Sequence, residues 1–135
     1  MMKRMFIVMV VGLILAACNG NNASGGTAAS AIEAYINARG TSSVADLQAL
    51  SCKAWESGAQ TESDSFKSLK AQITGLACAQ TGTDGQYALI TCKGTMTTTY
   101  NGESRNRDLS TRGFKAVMEN GSWKMCGYQA DNATP

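Results

Sequence analysis

The chain has 135 residues, with twelve Lys and Arg against ten Asp and Glu, five cysteines and no histidine. The basic excess is Lys3 and Arg4, both ahead of position 18, so everything after them is formally neutral. A neutral chain lacks the basic stripe of a nucleic-acid binder, and one without histidine lacks the commonest general base and metal ligand.

Behind those two charges, Met5 to Ala17 carries no charged residue. A membrane-spanning helix needs about 20 apolar residues, so this run is short for a permanent span. A basic start, a short apolar middle and small residues before a cut describe an export signal. Leu15-Ala16-Ala17-Cys18 resembles the lipobox of bacterial lipoproteins. That resemblance implies a signal peptide over residues 1–17, cleavage after Ala17, and a diacylglycerol on the Cys18 thiol. It places the protein in the bacterial cell envelope, on the outside of the cytoplasmic membrane or in the periplasm, with membrane lipid as its first partner. The alternative is an ordinary secretory signal with Cys18 left as a spare thiol. Five cysteines is an odd number, and giving Cys18 to lipid leaves four that can pair in a compartment where disulfides persist. Residues 18–27, rich in Gly, Asn and Ser, read as a flexible tether.

From Thr27 the period is helical. Ala28, Ile32, Tyr35, Ile36 and Arg39 fall on one stripe, with Gly40 as the stop. A second helix is expected from an N-cap at Ser43, with Val44, Leu47, Leu50 and Ala54 on its stripe and Gly58 as terminator. "SDSFKSLKAQI" offers a short third helix carrying Phe66 and Leu69. From about Ile73 the period becomes two. Two strands are expected around Asp84-Gly85 and two more around Asn120-Gly121, with "NGESRNRD" as a polar loop between the pairs. Residues 130–135 read as a frayed tail.

Helices followed by an antiparallel meander make an α+β domain over residues 28–129, its helices covering one face of a curved four-stranded sheet. "AIEAYINARG", "ADLQALSC", "ITGLAC" and the ending "NGSWKMCG" give it a further character. They resemble the small lipoproteins of the nuclear-transport-factor-two-like, or cystatin-like, superfamily. The resemblance implies a cone-shaped fold and a bridge from the cysteine behind the second helix to the one in the last strand, here Cys52 to Cys126. The superfamily's enzymes use Asp, His or Tyr inside the cone, and no such pattern carries onto this sequence.

Four cysteines allow three connectivities. Cys78 and Cys92 lie seven residues either side of Gly85, so a hairpin turning there brings them nearly opposite. A slip of one residue would put them on opposite faces. Reduced, buried thiols are the other possibility.

The cone of such a fold opens in a mouth between helices and sheet, and mouths of this kind are apolar with a few polar groups. Tyr35, Trp55, Phe66, Met96, Tyr100 and Phe114 either line it or fill the core. Arg105 and Arg107 are candidate surface contacts, or the scattered charges of a solvated loop. The acidic residues Glu33, Asp46, Glu56, Glu62 and Asp64 fall on polar helix faces or loops, with none forced into an apolar pocket. No phosphate-cradling loop, nucleophile elbow or paired-cysteine redox motif is present. The expectation is therefore a non-catalytic module, without cofactor or metal, that binds an envelope protein or a small apolar ligand. The alternatives are an isomerase, dehydratase or hydrolase working in the cone, and a lipoprotein that inhibits another envelope protein.

Overall fold

A computed structural model describes residues 26–41 and 43–130. The proposed signal peptide, Cys18, most of the tether and the last five residues lie outside the described residues. Helix α1, Ala28–Arg39, begins at a reciprocal cap: the Ser30 amide donates to Thr27 Oγ1 at 3.0 Å and the Thr27 amide to Ser30 Oγ at 2.9 Å. Its buried residues are Ala28, Ile32, Tyr35, Ile36 and Arg39, the stripe read from the sequence. A second capping box, Ser43 with Asp46, starts α2, Val44–Ala49.

The long second helix expected through to Gly58 is interrupted. The chain leaves the helix after Leu50 because the last strand, Ser122–Tyr128, claims its backbone. The Met125 amide donates to the Leu50 carbonyl at 2.9 Å, and the Cys52 amide to the Met125 carbonyl at 2.8 Å. A 3-10 turn, Lys53–Trp55, then leads into α3, Glu56–Phe66, which runs through Gly58 rather than stopping there. The Trp55 ring occupies the space a side chain at Gly58 would need: a Cβ there would meet it at 2.7 Å. The third helix thus starts earlier than expected and ends at Phe66.

The sheet is antiparallel and has five strands: β1 Lys70–Asp84, β2 Tyr87–Tyr100, β3 Glu103–Asp108, β4 Phe114–Glu119 and β5 Ser122–Tyr128. The order is β1-β2-β4-β5, and β3 pairs with the second half of β2 on the side where β4 pairs with the first half. The segment expected as a polar loop therefore supplies the additional strand, β3. Asn101 and Gly102 both adopt positive φ, 49° and 81°, and close a tight hairpin between β2 and β3. All six residues of β3 are exposed, so it lacks the apolar alternation that marks a strand. Thr97 donates to Asn106 at 2.8 Å and Thr99 Oγ1 lies 2.9 Å from Ser104 Oγ, which ties β3 to β2 through polar side chains.

Between Thr74 and Ala77 the β1–β2 register shifts, opposite Gly94. Gly94 has φ +124°, and a Cβ there would stand 2.9 Å from the Thr74 carbonyl oxygen, so only glycine fits this bulge. Such bulges bend the strand that carries them.

Both disulfides are formed. Cys78 and Cys92 stand directly opposite each other in the β1–β2 ladder, Cα–Cα 4.0 Å, and Cys52 joins Cys126 at 5.2 Å. The core, with Ile32, Ile36, Leu47, Ile90, Phe114 and Met125 at its centre, lies between the helices and one face of the sheet. No helix among the described residues is long and apolar enough to cross a membrane.

Candidate functional site

Three helical side chains and one from the last strand meet where α1 ends. Tyr35 and Arg39 are four residues apart on α1 and share its buried face. Glu62 on α3 accepts from both phenols present: Tyr35 donates to Oε2 at 2.9 Å, and Tyr128 of β5 donates to Oε1. Arg39 Nη1 donates to the Tyr128 oxygen at 2.9 Å and stands 3.8 Å from the Glu62 carboxylate. The Trp55 indole donates to the Tyr35 oxygen at 3.1 Å. Arg39 also contacts the Met96 sulfur at 3.7 Å, and its Nε is buried with no hydrogen-bond partner among the described residues.

Burial raises both phenols above the ordinary tyrosine value of 10.0, and the Glu62 charge pushes Tyr35 further the same way. For Tyr128 the nearby Arg39 opposes the rise without cancelling it. Both tyrosines are therefore protonated donors at neutral pH, and a carboxylate held between two donors and a guanidinium satisfies charge inside the protein. Glu62 corrects the sequence reading, which set it on a polar helix face. Five residues and their bonds form a closed polar knot, with both Glu62 oxygens engaged internally.

The knot forms one wall of a trough between α3 and the β2–β3 hairpin. Its first hollow, about 210 Å³, lies between Arg39, Glu62, Phe66, Leu109, Arg112 and Phe114. The second, about 340 Å³, shares Ser65, Phe66 and Arg107 with the first and adds Leu69, Met96, Thr98, Arg105 and Asn106. A third, about 260 Å³, continues past Leu69, Thr98 and Arg105 to Tyr100 and Glu103. Arg112 lies over the Tyr128 ring at 3.8 Å, and Tyr128 packs edge-on against Trp55, with centroids 5.5 Å apart.

Of the large residues singled out in the sequence, Phe66, Met96 and Phe114 line the two inner hollows and Tyr100 lies at the far end, 55% exposed. Tyr35 and Trp55 stand behind the trough, in the knot and the core around it. Arg105 and Arg107 both line it. Their ladder partners are Thr98 and Met96, and residues directly opposite in an antiparallel pair share a face, so these arginines stand on the face that carries the buried Met96. Sequence reasoning did not single out Arg39, Glu62, Arg112 and Tyr128 as a site. They come from α1, α3, the segment just before β4, and β5, and no local spacing links them. Among the described residues no group of three Cys, Asp or Glu side chains is placed to hold a metal ion.

Comparison with protein-family models gave no match, and comparison with curated proteins gave none either.

Proposed function

We propose that this chain is a lipid-anchored envelope protein whose folded part is a cystatin-like cone acting as a non-catalytic binding module for a small, largely apolar ligand. The lipobox-like Leu15-Ala16-Ala17-Cys18 and the even number of remaining cysteines support the anchor. The observation that carries the binding reading is the trough floor, where Phe66, Leu69 and Met96 lie together beneath open space of ligand size. The polar knot beside it has both Glu62 oxygens engaged by phenols, which suits a rigid wall better than a reacting group.

Two measurements test this. Cells fed a fatty-acid analogue should label the wild-type chain and leave Cys18→Ser unlabelled; equal label in both removes the anchor. For binding, membranes holding the full chain are irradiated with a photoreactive neutral long-chain alcohol and the cross-links mapped by mass spectrometry. Adducts should concentrate on the peptides containing Phe66, Leu69 and Met96. Adducts spread evenly over exposed strands would refute a binding trough.

A further inference from the structure

Three arginines border an apolar floor without an acidic partner. Arg105 and Arg107 project from β3 on the face of Met96, and Arg112 closes the other end over Tyr128. Among the described residues none of the three makes a salt bridge. Two acids line the first hollow: Glu62 is engaged by the two phenols and Arg39, and Asp108 accepts through one oxygen from the amide and hydroxyl of Ser110 at 2.8 and 2.7 Å. Glu103 lines only the outermost hollow. The first hollow thus carries three arginines against two acids, and the second has Arg105 and Arg107 and no acid above its hydrocarbon floor.

We infer that the trough takes a single-chain amphiphile with a carboxylate head, its tail along Phe66, Leu69 and Met96 and its head between Arg107 and its arginine neighbours. A guanidinium presents a planar fork of donors that matches a carboxylate bidentately, so the head is recognised by geometry as well as charge. Hollows of this size suit one short chain and are too small for a phospholipid with two acyl tails. This inference rests on the binding reading above and adds the chemistry of the ligand.

Inward-facing charge on an edge strand also has a second use, since it discourages other strands from pairing there. Lysine serves that use as well as arginine does, but it loses the fork. Arg107→Lys therefore separates the two.

The experiment uses the full chain in membranes and two photoreactive probes with the same chain, a decanoate and a decanol. The decanoate should label the trough peptides about tenfold more than the decanol, the scale of one charge-assisted hydrogen bond. Arg107→Ala should bring it down to the level of the alcohol, and Arg107→Lys should lose most of the difference. Raising salt should weaken the acid alone. Arg105→Ala provides a second variant on the same exposed strand, expected to weaken the acid in the same direction. Equal labelling by acid and alcohol, unmoved by either arginine variant, would overturn the carboxylate inference and leave the binding reading standing. Failure of both probes to label the trough would overturn both.

Discussion

Glu62 shows how much one side chain holds in place. It accepts from Tyr35 and Tyr128 and faces Arg39 at 3.8 Å, with its own side chain 18% exposed and that of Arg39 9%. Glu62→Ala leaves two phenols and a buried guanidinium without their acceptor, and breaking a buried pair from one side costs about 3–5 kcal/mol. Urea unfolding should show a loss of that size, with Glu62→Gln, which keeps one carbonyl acceptor, losing less. The two phenols make a separate prediction about pH. Burial raises them above 10.0, so the folded protein keeps protons that the unfolded chain releases. Their stabilisation is fully present below about pH 10 and is lost as the pH rises beyond it. Melting temperature should fall on that alkaline limb, and the fall should be shallower in Tyr128→Phe. The buried stripe of α1, Tyr35 and Arg39 included, was legible because helical spacing names a face. The partner of that face was not, because Glu62 approaches from a helix 27 residues away from Tyr35 in sequence.

Local signals at the level of elements succeeded where one interaction dominates and failed where a distant segment competes. The Ser43 N-cap and the Asn120-Gly121 turn were readable because neighbouring residues decide them. The first hairpin turns one residue later than expected, at Gly85-Gln86, with Asp84 paired to Tyr87, and the Thr27–Ser30 cap was not read. The second helix breaks after Leu50 because strand β5, more than seventy residues later, takes its backbone. Strand β3 was read as a loop because "ESRNRD" has no apolar alternation, although Asn101-Gly102 ahead of it is the same hairpin dipeptide as Asn120-Gly121. An all-exposed edge strand held by one ladder should open easily. Hydrogen exchange at the amides of Ser104 to Arg107 is expected to be faster than across β4 and β5. Gly58 gives a sharper test. In an exposed helix, Gly→Ala gains about 1 kcal/mol, and here the new Cβ would press on the Trp55 ring at 2.7 Å. Overpacking costs about 1–3 kcal/mol, so Gly58→Ala should destabilise despite the better helix former. A raised urea midpoint in this variant would mean that the Trp55 ring moves freely aside.

Across the whole molecule, the two disulfides divide the labour unequally. Cys78–Cys92 closes 14 residues inside one hairpin, where the β1–β2 ladder already fixes both ends. Cys52–Cys126 closes 74 and ties the break between α2 and α3 to the last strand, beside the Leu50–Met125–Cys52 backbone bonds. The chain-entropy argument gives about 3 kcal/mol for the short loop and about 4 for the long one. The short loop lies within the long one, so the two contributions overlap and their joint loss should fall below the sum. A small domain has only about 5–15 kcal/mol in total, which makes either bridge a large share. Cys52 and Cys92 are buried at 1% and 0% exposure, so alanine is the fitting replacement, adding no buried hydroxyl. Cys52→Ala with Cys126→Ala should lower the unfolding free energy by about 4 kcal/mol, and Cys78→Ala with Cys92→Ala by about 3. Chemical reduction of the wild-type chain should bring the urea midpoint below that of either pair of variants. An oxidising compartment would then be a condition of folding. A reduced chain that unfolds at the same midpoint as the oxidised one would sever that link.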